Sequence, residues 1–82
     1  MKSIFIIGLG RFGRHMAYKF LEEHNEVLAV DKREERAETV VDRIKDIEIG
    51  DATDETFIAS LGVGNFDLCV VAIGDNFQTA LE

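Results

Sequence analysis

Ile4-Phe5-Ile6-Ile7-Gly8-Leu9-Gly10-Arg11-Phe12-Gly13 is the stretch that decides the fold. A short apolar run ends in three glycines spaced G-x-G-x-x-G, and a segment of helical periodicity starts directly behind them. The next apolar run, Val27-Leu28-Ala29-Val30, ends in an acid, Asp31, which lies 18 residues beyond Gly13. Strand, glycine turn, helix, second strand and terminal acid therefore stand in register, near the separation of about 20 residues that a βαβ phosphate-binding unit requires.

Each residue type in that pattern has a physical reason. The first glycine makes the strand-to-helix turn, the second lets a pyrophosphate approach the backbone, and the third lets the helix lie close to the strand. Backbone N–H groups and the positive helix end then face the phosphates, while a carboxylate at the tip of the second strand accepts hydrogen bonds from ribose hydroxyls. The candidate binding residues of the loop are Gly8, Gly10, Arg11, Phe12 and Gly13, with Arg11 adding a fork of guanidinium donors. Asp31 would repel a 2′-phosphate, which argues for NAD over NADP, although Lys32 and Arg33 beside it weaken the exclusion. Asp51 suits a turn or cap as well as a ligand contact; its place at the end of the third strand favours the adenosine side of a nucleotide.

At 82 residues the chain is one domain at most, and a chain of that size hides only ~60–65% of its unfolded surface. A doubly wound fold usually needs two βαβαβ halves. The expectation is an α/β, Rossmann-like parallel sheet over residues 1–82, an incomplete half of a doubly wound domain. Nine basic residues against 16 acidic ones give a net charge of −7, and no basic run exceeds Lys32-Arg33, which argues against a nucleic acid partner. No stretch approaches the ~20 apolar residues of a membrane span, and the first residues read as a strand rather than a secretory signal. A cytosolic protein without direct membrane insertion is expected. Cys69, the one cysteine, lies in the apolar run Leu68 to Ile73 and reads as a buried thiol; with only His15 and His24 besides, no metal-site spacing can be assembled.

Four short apolar runs, Ile4–Ile7, Val27–Val30, Ile47–Ile49 and Leu68–Ile73, alternate with amphipathic segments. Continuous apolar character marks strands covered on both faces. Right-handed crossovers then predict the strand order 3-2-1-4. A first helix over Arg11 to Glu23 carries Phe12, Met16, Ala17, Phe20 and Leu21 on one stripe, and Asn25 of His24-Asn25 supplies the left-handed residue at its stop. A second over Glu34 to Ile44 buries Ala37, Val40, Val41 and Ile44 and turns its Glu and Arg side chains to solvent. Thr53 or Asp54 caps a third helix over Glu55 to Leu61, and Gly62-Val63-Gly64-Asn65 reads as a turn. Gly74-Asp75-Asn76 reads as a strand end followed by another helix start, so that Leu68–Ile73 would be an open, aggregation-prone edge.

Several stretches together, I-I-G-L-G-R-F-G at 6–13, V-L-A-V-D at 27–31, G-D-A-T at 50–53, L-G-V at 61–63 and V-V-A-I-G-D-N at 70–76, resemble the N-terminal half of an RCK domain (regulator of conductance of potassium), also called the TrkA N-terminal domain. The resemblance implies a cytosolic regulatory subunit, held at the inner face of the cell membrane through a potassium transporter or channel subunit. It further implies assembly into dimers and rings, and control of transport by NAD(H) or, alternatively, ATP/ADP. Position by position, it implies phosphate contact for Arg11, the ribose region for Asp31, Lys32 and Arg33, the adenine side for Asp51 and Ala52, and the cleft rim for Ile73, Gly74 and Asp75. No proton donor, nucleophile or Ser/His/Asp set converges on the strand ends, so no enzyme is expected. The rival reading is the cofactor-binding half of an NAD-dependent oxidoreductase whose reacting groups lie elsewhere.

Overall fold

A computed structural model of the chain describes residues 1–73 and 76–81. Its elements are β1 (Ser3–Ile7), α1 (Arg11–Glu22), β2 (Glu26–Asp31), α2 (Glu34–Val40), β3 (Asp46–Ile49), α3 (Glu55–Ser60), a 3-10 turn (Val63–Asn65), β4 (Leu68–Ile73) and β5 (Asn76–Leu81). The strands form one sheet in the order β3-β2-β1-β4-β5. The first four are parallel, as the glycine loop and the alternating apolar runs require, and the architecture is a Rossmann-like α/β sheet.

Its centre is β1, hydrogen-bonded to β2 on one side and β4 on the other. Ile4, Phe5 and Ile6 are consequently buried without alternation. Moving outward from β1 to β3, both crossovers are right-handed only if α1 and α2 lie on one face; the return to β4 puts α3 on the other. The first face packs Ile4, Ile6, Ala29 and Val70 against Ala17 of α1, Val40 at the end of α2 and Ile44 in the turn beyond it. The second packs Phe5, Val30 and Cys69 against Phe57, Ile58, Leu61 and Phe66, with the Phe5 and Phe66 rings stacked at 5.4 Å. Cys69 is buried there, as its apolar run indicates.

Three local expectations change. The left-handed residue that stops α1 is His24 (φ 67°), not Asn25. The N–H of Asn25 reaches back to the Phe20 carbonyl and that of His24 to the Leu21 carbonyl, a paired closure that puts the positive φ one residue earlier. Asn25 instead uses its side chain: its amide donates to the Phe20 carbonyl and its oxygen accepts the Lys2 N–H. Second, α2 ends at Val40 and the chain turns through Ile44, whose N–H bonds the Val40 carbonyl. That turn keeps Ile44 in the core and leaves Val41 58% exposed.

The third change is larger. Residues 76–81 form β5, antiparallel to β4 from Ile73↔Asn76 to Leu68↔Leu81, where a helix start was expected. The cause is the edge itself. An apolar, uncharged strand such as Leu68–Ile73 presents a row of unpaired backbone groups, and residues 76–81 supply partners for them along its whole length. β4 is therefore not the open edge the sequence indicates. The expected rim residues Gly74 and Asp75 lie outside the described residues.

Candidate functional site

The carboxyl ends of the parallel strands converge on a cleft of about 170 Å³ lined by Ile7, Gly8, Val30, Asp31, Lys32, Arg36, Gly50–Thr53 and Ala72. A larger groove of about 410 Å³ lies at the opposite ends of β2 and β3, among Glu26, Lys45, Asp46, Glu48, Leu28, Leu61 and Phe66. That groove is lined by Glu26, Asp46 and Glu48 and by no residue of the glycine loop, whereas ligands of open α/β sheets bind outside the carboxyl ends of the strands. The smaller cleft is the candidate site.

The three loop glycines do different things. Gly8 has φ 101° and its N–H donates to the Val30 carbonyl at 2.7 Å; a Cβ there would overlap the Ala72 carbonyl oxygen. A Cβ at Gly13 would overlap the Gly8 carbonyl oxygen. These two glycines are therefore demanded by the protein's own turn and its own helix-on-strand packing. Gly10 is not. Its φ of −72° suits any residue, and among the described residues a Cβ would meet only the Arg36 guanidinium, at an ordinary 3.6 Å. The fold leaves Gly10 bare toward the outside.

Gly10 also stands at the N-cap of α1, which has no side-chain cap and no acid in its first turn. By contrast, α2 opens on Glu34 and Glu35, and Asp54 caps α3 by accepting the Thr56 and Phe57 N–H groups. The positive end of α1 thus has no anion of its own helix beside it.

Asp31 is the buried charge of the site, 5% exposed. One oxygen accepts the Leu9 N–H at 2.7 Å, inside the glycine loop, and the other accepts the Arg33 N–H at 2.8 Å, at the start of α2. The carboxylate thereby ties β2 to the glycine loop. A third partner, Arg36, lies 3.6 Å from Oδ2. Each carboxylate oxygen can accept about two hydrogen bonds, so capacity remains for a ligand hydroxyl. Asp51 makes a local turn: its Oδ1 accepts both the N–H and the hydroxyl of Thr53. Those two bonds, the backbone one first, hold its carboxyl below the ordinary aspartate value.

Of the residues singled out from sequence, Gly8, Asp31, Lys32, Asp51 and Ala52 line the cleft, Gly10 faces it across the Arg36 guanidinium, and Gly13 lies buried beneath the loop. Arg33 caps α2 and reaches Asp31 through its backbone only. Arg11 and Phe12 instead open onto a shallow groove along α1 with Arg14, His15 and Tyr18. Ile73 ends β4. Two polar side chains join the site that sequence reasoning left out, those of Thr53 and Arg36. Arg36 belongs to the charges assigned to solvent, yet side chains on a helix lean toward its N-terminus, and one turn into α2 that lean carries a long cation back to the strand tip. Its position five residues past Asp31 was the available signal. No group of residues suited to hold a metal ion occurs among the described residues, nor does any helix long and apolar enough to cross a membrane.

Parallel sheet, glycine loop and acid-tipped second strand together define a Rossmann-like domain with its cleft at the topological switch between β1 and β4. More particularly, the chain belongs to the TrkA-N domain family, which it matches over residues 4–82. It is 40% identical over 80 residues to Ktr system potassium uptake protein C of Bacillus subtilis (strain 168), covering 98% of this chain and 36% of that protein. Ktr system potassium uptake protein A of the same organism is 39% identical over 79 residues, covering 96% and 36%. The protein of that name from Vibrio alginolyticus is 29% identical over 80, covering 98% and 36%. The chain thus spans about a third of the length of these relatives.

Proposed function

We propose that the chain is the nucleotide-sensing part of a cytosolic regulatory module for potassium uptake, binding NAD(H) or ATP/ADP in the cleft between Gly10, Asp31 and Asp51. Gly10 carries the reading. Neither its backbone conformation nor packing among the described residues requires a glycine there, so the missing side chain serves what approaches from outside, at the uncapped positive end of α1. In this reading Asp31 takes ribose hydroxyls, Lys32 the ribose region, Asp51 and Ala52 the adenine side, and Arg11 phosphate beyond the loop. The potassium link comes from relatives named for potassium uptake. With it go association with a membrane transporter subunit, assembly into dimers or rings, and a regulatory rather than catalytic role.

Calorimetric titration with NAD, NADH, ATP and ADP tests the reading, alongside Gly10→Ala. The substitution is expected to leave the fold intact, costing about 1 kcal/mol or less as a helix cap, while lowering nucleotide affinity about tenfold or more because a methyl group enters the pyrophosphate path. Unchanged affinity in Gly10→Ala, or no binding of any of the four at millimolar concentration, would defeat it. Substrate-dependent oxidation of NADH would instead favour an oxidoreductase.

A further inference from the structure

The guanidinium of Arg36 touches both halves of the proposed nucleotide site. Its Nη1 lies 3.6 Å from Oδ2 of Asp31, with the Arg36 side chain 43% exposed and that of Asp31 3% exposed. Among the described residues, the same Nη1 and the Cζ beside it are the atoms nearest the open side of Gly10, at 3.6 and 3.9 Å from where a Cβ would stand. One planar cation therefore spans the carboxylate that would receive ribose and the bare backbone over which a pyrophosphate would pass.

The three partners of Asp31 are not equivalent. The Leu9 and Arg33 N–H groups belong to the backbone and are fixed at 2.7 and 2.8 Å. Arg36 is held at longer range by the far end of a flexible, half-exposed side chain. It is the exchangeable partner. A ribose hydroxyl approaching Asp31 competes with Arg36 for Oδ2, and a bare nucleoside offers the guanidinium nothing in return. A nucleotide brings an anion to Gly10, within reach of the same group, and guanidinium–phosphate pairs are bidentate and charge-assisted. Arg36 lines the cleft of about 170 Å³ together with Asp31 and Gly8, so a ligand entering it meets the Arg36 side chain.

We infer that Arg36 is a specificity-determining residue of this cleft, exchanging Asp31 for the ligand's phosphates and so selecting phosphorylated over unphosphorylated nucleosides. The inference rests on the nucleotide-binding reading above. It assigns the selection to α2 of this chain, in addition to whatever Arg11 contributes from α1.

The test titrates the full chain with adenosine, AMP, ADP, ATP and NAD, as wild type, Arg36→Gln and Arg36→Lys, each first shown to be folded by circular dichroism. Arg36→Gln is expected to lose about ten- to a hundredfold in affinity for ADP, ATP and NAD while binding adenosine as well as wild type or better. Arg36→Lys, which keeps the charge and loses the fork, should recover part of the loss. An equal loss for adenosine and ATP would show that Arg36 only holds Asp31 in place and would overturn the inference, as would wild-type affinities throughout. If wild type binds none of the five, the nucleotide reading falls and this inference with it. If wild type binds and Gly10→Ala does not, but Arg36→Gln equals wild type, the inference alone falls.

Discussion

Replacing Asp31 by alanine is expected to damage the fold before it damages any ligand site. The side chain accepts two backbone hydrogen bonds at 2.7 and 2.8 Å, from Leu9 and Arg33. Hydrogen bonds to a charged acceptor contribute about 1.5–3 kcal/mol each. The Leu9 bond belongs at the upper part of that range, because Leu9 is 1% exposed. The Arg33 bond belongs lower, since that residue is exposed and water can replace the carboxylate. Arg36 adds little: its side chain is 43% exposed, and exposed ion pairs contribute about 1 kcal/mol or less. The cleft also admits solvent to the vacated position, which trims the loss. The expected destabilisation of Asp31→Ala is about 3–4 kcal/mol, against a total of roughly 4–12 kcal/mol for a domain of this size.

Urea denaturation followed by circular dichroism measures it, with Asp31→Asn as the companion. Asparagine keeps one acceptor oxygen but turns an NH₂ group toward the second backbone N–H, so its loss should fall between alanine and wild type or match alanine. A destabilisation of Asp31→Ala below about 1 kcal/mol would refute the reasoning, for it would mean that the glycine loop holds its shape without the carboxylate. A larger value has a practical consequence: ligand affinity of Asp31→Ala cannot be read as a ribose contact unless the folded fraction is measured in the same sample.

Gly8→Ala and Gly13→Ala are each expected to destabilise by about 2 kcal/mol or more, in contrast to Gly10→Ala, because the added Cβ overlaps a carbonyl oxygen in both and Gly8 adds a positive φ; thermal unfolding of the three variants side by side checks the order. The Asp51 carboxyl, held below its ordinary value of 3.8 by the Thr53 N–H and hydroxyl, should titrate below that value by NMR and move toward it in Thr53→Val. Because the folded value is the depressed one, this turn contributes its stability above the unfolded value and loses it as pH falls through the folded value.

The parallel part of the fold was legible because its signals are local and redundant. Continuous apolar runs mark β1, β2 and β4, the glycine spacing fixes the first turn and helix, and handedness then leaves one strand order. The ends of helices were less legible. Whether His24 or Asn25 takes the left-handed conformation depends on which N–H reaches the Phe20 carbonyl, a choice made by the docking of Lys2 on the Asn25 side chain. Residues 76–81 were misread for a related reason: a glycine-containing strand end followed by a polar start is a helix signal only when no strand edge nearby needs a partner. With β5 in place, the sheet ends on β3 on one side, a four-residue strand carrying Asp46 and Glu48, which are features that discourage pairing with another chain.

In the site, sequence located the residues but not how they divide the work. The pattern G-x-G-x-x-G treats its glycines alike, whereas the structure shows two required by internal contacts and one, Gly10, required by none among the described residues. Asp31 reads as a ligand group, yet its two fixed bonds are to its own loop and its own helix; only the third partner, Arg36, is of a kind that can be exchanged. These two facts constrain each other. A carboxylate pinned from behind by backbone keeps its remaining acceptor capacity aimed into the cleft without rearranging, and a bare glycine opposite keeps the approach open. The side chain between them is the arginine, which a periodicity argument places on the solvent face of α2 because such arguments see only the angle at which a residue leaves the helix, not how far back along the axis a long side chain can reach.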